Sequence, residues 1–143
     1  MFRKLTENVY ASPQIGLDEV EQARALGVTL IVNNRPEGES DDQVAGSDIA
    51  AAAAAAGIDY VAIPVTHAGF AEHQVLAMAE ALNRTPGPVL AYCRSGTRST
   101  LLWALARAKA GEDPEQLTTQ AAAAGYDLSP IRQIMDMLAA SPG

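Results

Sequence analysis

A chain of 143 residues is long enough for one domain with a substantial core, and its 48 % hydrophobic content holds no run able to span a bilayer. The net charge of −7 argues against a nucleic-acid surface, which needs a basic stripe, and the opening residues lack the apolar core of a signal peptide. A single cysteine excludes an internal disulfide, so one cytoplasmic domain over 1–143 is expected.

In chain order, Asn8 to Ser12 reads as a first strand, ended by Pro13. Gly16 to Leu26 has helical spacing, with Leu17, Val20, Ala23 and Leu26 on one face. Val28 to Val32 is a β-branched run and predicts a buried strand, followed by the polar loop Asn33-Asn34-Arg35-Pro36-Glu37-Gly38-Glu39. Ala45 to Ala56 is a helix built mainly from alanine, the best helix former. Ile58 to Val65 is the next strand, Thr66-His67-Ala68-Gly69 a loop, and Phe70 to Arg84 a helix. Pro-Gly-Pro at 86–88 opens the strand Pro88 to Tyr92, and Thr100 to Ala110 is the helix beyond it. Asp113-Pro114 and Ser129-Pro130 are start signals for two closing helices, and Ser141-Pro142-Gly143 reads as a frayed tail. Strands alternating with helices predict an α/β fold with a small parallel or mostly parallel central sheet, helices covering both faces.

The chemistry concentrates in Cys93-Arg94-Ser95-Gly96-Thr97-Arg98-Ser99, between a strand and a helix. Such a loop aims several backbone N–H groups at one point, and the helix N-terminus adds its positive end. Arg98 adds a planar five-donor fork. Arg94, Ser95, Gly96 and Thr97 are the expected anion-binding residues, with Arg94 steering anions in. Cys93 is the expected nucleophile, held as thiolate by the helix end and the guanidinium. A small core cysteine at a strand end is the ordinary alternative. Without a second cysteine, anything carried on Cys93 leaves to an outside acceptor or to water.

Ligands of open α/β sheets sit beyond the carboxyl ends of strands, which makes Arg35 and His67 candidates for the same pocket. For Arg35 a structural ion pair with a loop carboxylate is an equal reading. His67 and His73 have no cysteine or paired carboxylates at ligand spacing, so no metal and no cofactor is expected.

Together with Val32 to Glu39 and Tyr60 to Val65, the cysteine loop resembles the beta-lactamase hydrolase-like, phosphatase-like domain family. Its members are labelled both phosphatases and sulfur transferases. The resemblance covers Asn8 to about Ala110 and implies the fold of the dual-specificity protein tyrosine phosphatases. Two departures from those enzymes matter. They place five residues between Cys and Arg, whereas four separate Cys93 from Arg98. They also supply an Asp as general acid where this chain has His67, with no Asp or Glu from Val61 to Ala71. By analogy with rhodanese-type sulfurtransferases, whose six-residue loops carry sulfur, the main expectation is a sulfurtransferase. In that scheme Cys93 takes sulfur from thiosulfate or a persulfide and passes it to a thiol such as glutathione. Arg98 stabilises the incoming charge, and Ser99 hydrogen-bonds the sulfur. The alternative is a tyrosine or dual-specificity phosphatase acting on a phosphate ester through a Cys93 phosphocysteine. A third reading is an inert binder of oxyanions or phosphoproteins. Oligomeric state is not legible.

Overall fold

The computed structural model describes residues 2–140. Five strands form one sheet: β1 (Arg3–Thr6), β2 (Val9–Ser12), β3 (Leu30–Asn33), β4 (Asp59–Ala62) and β5 (Val89–Tyr92). Their order is β1-β2-β5-β3-β4. The pairs β2–β5, β5–β3 and β3–β4 are parallel, as the alternation of strands and helices requires. The sheet is thus mostly parallel, as expected, and at one edge β1 pairs antiparallel with β2. Arg3-Lys4-Leu5-Thr6 carries a single large apolar side chain, so no period-2 pattern marks it as a strand. Hairpin pairing with β2 makes it one, with Leu5 buried. The tail expected at 141–143 lies outside the described residues.

Six α-helices follow: α1 (Leu17–Ala25), α2 (Gly46–Ala55), α3 (Glu72–Arg84), α4 (Thr97–Lys109), α5 (Pro114–Ala123) and α6 (Arg132–Ala140), the last preceded by a 3-10 turn at Ser129–Ile131. Successive side chains of a strand point to opposite faces, and the core divides accordingly. Leu30, Val32, Val89 and Ala91 face one cluster with Met78, Leu102, Trp103, Leu105, Leu117 and Met135, from α3 to α6. Ile31, Leu90 and Tyr92 face the other, with Val20 and Ala23 of α1 and Ile49 and Ala53 of α2. The alanine run of α2 is thus a packed helix, small enough to lie close to α1.

β3 and β5 are buried along their whole length, and α4 is buried from Ser99 to Ala106. A central strand leading directly into the most enclosed helix gives the loop between them little freedom. Asp113 caps α5 by accepting the Glu115 N–H at 3.1 Å, with Pro114 in the first turn, as its sequence signal requires. No helix among the described residues is long and apolar enough to cross a membrane.

Candidate active site

Beyond β5 the backbone leaves the sheet at Cys93 and re-enters regular structure at Thr97. The loop is tied to β2 on one side. Cys93 N–H donates to the Ser12 carbonyl at 3.3 Å, and Gln14 N–H donates to the Arg94 carbonyl at 3.2 Å. The turn into α4 occurs at Gly96, with φ +92°, a left-handed conformation that L side chains rarely adopt. Thr100 secures it by donating to the Gly96 carbonyl through both its backbone N–H at 3.0 Å and its hydroxyl at 2.8 Å.

Within this turn the Gly96 N–H donates to the Cys93 sulfur at 3.1 Å. Cys93 is fully buried, three residues before the N-cap Gly96 of α4. Ser95 and Thr97 lie exposed at the rim, where the Ser95 hydroxyl donates to the Thr97 hydroxyl at 3.0 Å and accepts the Thr97 N–H at 3.3 Å. Arg94 is exposed beside them.

Arg98 lies in the first turn of α4 and crosses to the loop after β3. Its Nη1 and Nη2 donate to the two carboxylate oxygens of Glu39 at 2.6 and 2.9 Å, and Nη1 also donates to the Val65 carbonyl at 2.7 Å. A guanidinium has five N–H groups. The Nε–H and one Nη2–H, which share an edge of the fork, take no part in these three bonds and can donate to an anion. The Glu39 hydrogen bond holds Arg98 charged, against burial, and the neighbouring Cys93 sulfur adds to it. Glu39 is itself pulled down to about 2, first by the hydrogen bond from Arg98 and then by Arg35.

Arg35 is buried and reaches the site through that same carboxylate. Its Nε donates to Glu39 at 2.9 Å, its Nη1 to Gln14 at 2.9 Å and its Nη2 to Ser40 at 3.1 Å. Its guanidinium is thereby engaged by the Glu39 carboxylate of its own loop and by Gln14 and Ser40. The expected hydrogen bond from Ser99 to the sulfur is corrected: the buried Ser99 hydroxyl donates to Asn34 Oδ1 at 2.8 Å. Asn34 joins three strand ends. Its Nδ2 donates to the Ile63 carbonyl at 2.9 Å, its N–H to the Tyr92 carbonyl at 2.8 Å, and its carbonyl accepts the Val65 N–H at 3.0 Å. Sequence reasoning missed Glu39 and Asn34. Their signal was a dense polar run at the end of a buried strand, from which only Arg35 stood out.

His67 is exposed in the loop between β4 and α3. No group of three His, Cys, Asp or Glu among the described residues is placed to hold a metal.

A cysteine-bearing turn between a central strand and a helix has relatives. The family model for the phosphatase-like domain of beta-lactamase hydrolase-like proteins matches residues 1–110. The chain belongs to that family. It is 33 % identical over 125 residues to a beta-lactamase hydrolase-like protein of Xylella fastidiosa, covering 87 % of this chain and 29 % of the relative. The chain thus spans under a third of the length of that curated relative. A crystal structure of a candidate phosphatase from Neisseria meningitidis is similar with TM-score 0.83 and 35 % identity, covering 95 % of this chain and 96 % of that one. Tk-PTP in its active form shares the fold at TM-score 0.74 and 14 % identity, over 98 % and 97 % of the two chains. TpbA of P. aeruginosa, solved in complex with phosphotyrosine, shares it at TM-score 0.63 and 19 % identity, over 94 % and 90 %. The family member's fold is therefore that of the tyrosine-phosphatase-like enzymes, an α/β sheet carrying its cysteine turn at the end of the central strand.

Proposed function

We propose that this chain is a cysteine-dependent phosphatase domain that cleaves phosphate monoesters through a Cys93 phosphocysteine. The observation that carries this reading is the Gly96 N–H, 3.1 Å from the Cys93 sulfur, in the turn that also begins the helix bearing Arg98. The phosphatase-like family and the phosphotyrosine held by TpbA support it. The reading treats 1–143 as one catalytic unit, whose single thiol suits a reducing cytoplasm.

In the first step the Cys93 thiolate attacks phosphorus. An S–P bond forms, the ester P–O bond breaks, and its electron pair leaves on the ester oxygen. The free Nε–H and Nη2–H of Arg98 hold two of the phosphoryl oxygens as charge redistributes. Water then attacks phosphorus, releases phosphate and restores the thiolate. The leaving oxygen takes its proton from His67 or from solvent, because Glu39, held ionised between two arginines, has none to give near neutrality. Aryl esters, whose leaving groups are stable anions, are the substrates such a site handles best.

A second reading rests on the short loop and on the lack of a carboxylic acid from Val61 to Ala71. Here the thiolate attacks the outer sulfur of thiosulfate, sulfite leaves with the S–S electron pair, and the Cys93 persulfide passes its sulfur to a thiol such as glutathione. No proton donor is needed.

The test is turnover of phosphotyrosine peptides by wild type and Cys93→Ser, with intact-mass detection after rapid quenching. Turnover confined to wild type, with a phosphate adduct on Cys93, is the expected result. No turnover above the Cys93→Ser background overturns the phosphatase reading. If thiosulfate then adds one reductant-labile sulfur to wild type, the sulfur-transfer reading takes its place.

A further inference from the structure

Tyr126 lies beyond the 1–110 segment that the family model matches, in the connection between α5 and the 3-10 turn. It nevertheless reaches the cysteine turn. Its hydroxyl donates to the Ser95 carbonyl at 3.1 Å. The next atom along that peptide unit is the Gly96 nitrogen, whose N–H donates to the Cys93 sulfur, also at 3.1 Å. A trans peptide is planar, with its C=O and N–H pointing in opposite directions. Anchoring the carbonyl on Tyr126 therefore aims the N–H at the sulfur. We propose that Tyr126 is a positioning residue for the nucleophile, holding the Ser95–Gly96 peptide in the orientation that stabilises the Cys93 anion.

The tyrosine is built in. It is almost wholly buried, and its backbone N–H donates to the Ala121 carbonyl at 2.9 Å. Arg3 of β1 lies over its ring, 5.3 Å from the centroid, and donates to the Ala124 carbonyl at 3.0 Å. The first strand and the last helices thus meet on one side chain. A Cβ at residue 96 would run into the Tyr126 hydroxyl and come within 3.3 Å of the Ser12 backbone, so the tyrosine fills the space that glycine leaves. Burial raises the phenol, against the pull of Arg3, and Cys93 raises it further, so it remains a neutral donor beside the Cys93 sulfur.

The inference rests on Cys93 being the nucleophile and not on which substrate it attacks. The experiment is therefore alkylation of Cys93 by iodoacetamide, with no substrate present. Tyr126→Phe keeps the ring and removes the hydrogen bond. At pH 6.5 its alkylation is expected to slow by roughly three- to tenfold, the worth of one hydrogen bond, and to approach the wild-type rate at pH 9. Arg3→Met, which loosens the seat of the ring but keeps the hydroxyl, should give a smaller fall in the same direction. Ala23→Gly, in α1 on the opposite face of the sheet, is the control for lost stability and should alkylate at the wild-type rate. Wild-type alkylation in Tyr126→Phe overturns the proposal, whatever Arg3→Met does. So does a slowing that Ala23→Gly reproduces.

Discussion

Glu39 grips Arg98 end-on: both carboxylate oxygens accept from the guanidinium, at 2.6 and 2.9 Å, across 59 residues of sequence. The bond fixes the fork's plane and keeps Glu39 off its side edge, the edge that holds the phosphoryl oxygens in the proposed reaction. Glu39 is thus a positioning residue, and the same single charge also pairs with the buried Arg35. Glu39→Gln would leave two guanidiniums facing one amide. The expected loss in kcat/KM for an aryl phosphate is about 10- to 100-fold, carried mainly by kcat, because the misaligned donors matter most as charge moves in the transition state. Glu39→Asp, which keeps the charge on a shorter stem, should recover part of it. Steady-state kinetics on the three proteins checks both expectations.

The same carboxylate sets an acid limit. Its folded value of about 2 lies below its ordinary 4.5, so its ionised form stabilises the fold. That contribution is complete above about pH 4.5 and is lost as pH falls from there toward 2. The melting temperature of the wild type should exceed that of Glu39→Gln near neutrality, and the gap should close over this window. A gap that persists unchanged at pH 3 would mean that the charge of Glu39 does not support the fold.

The cysteine turn was legible in the sequence because its constraints are local. A buried strand, a glycine that turns the backbone and a helix start lie within a dozen residues, and each leaves a residue-type signature. The parallel core strands were legible for the same reason. The partners of the turn were not. Glu39, Asn34 and Tyr126 reach it from elsewhere in the chain, and nothing in Pro-Glu-Gly-Glu or Gly-Tyr-Asp announces the destination of a side chain. Ser99 shows the reverse error. Its place next to Arg98 suggested the sulfur as partner, yet helical geometry turns it to the buried side, where Asn34 Oδ1 accepts its proton. β1 was missed because edge strands with charged residues carry no hydrophobic alternation.

Arg98→Lys retains the charge and loses the fork. A lysine cannot bond both oxygens of Glu39 and still offer two parallel donors to a phosphoryl group. The expected fall in kcat/KM is about two orders of magnitude or more, with a smaller change in melting temperature. Wild-type kinetics in this variant would mean that the fork takes no part in turnover.

Asn34 and Ser99 separate support from chemistry. Asn34→Ala leaves the Ile63 carbonyl and the Ser99 hydroxyl without partners in a buried setting, a loss expected at about 2–4 kcal/mol. Ser99→Ala removes one donor and should cost about 1–2 kcal/mol. In the double variant the serine's orphaned hydroxyl is gone, so its loss should fall short of the sum of the two single losses by about 1 kcal/mol. Urea unfolding of the four proteins measures this coupling. Because the Ser99 proton goes to Asn34, Ser99→Ala should alkylate at Cys93 within about twofold of the wild-type rate at pH 6.5, a change well under one hydrogen bond. A tenfold slowing there, without a matching loss of stability, would put the hydroxyl on the sulfur during reaction and reassign Ser99 from the scaffold to the chemistry.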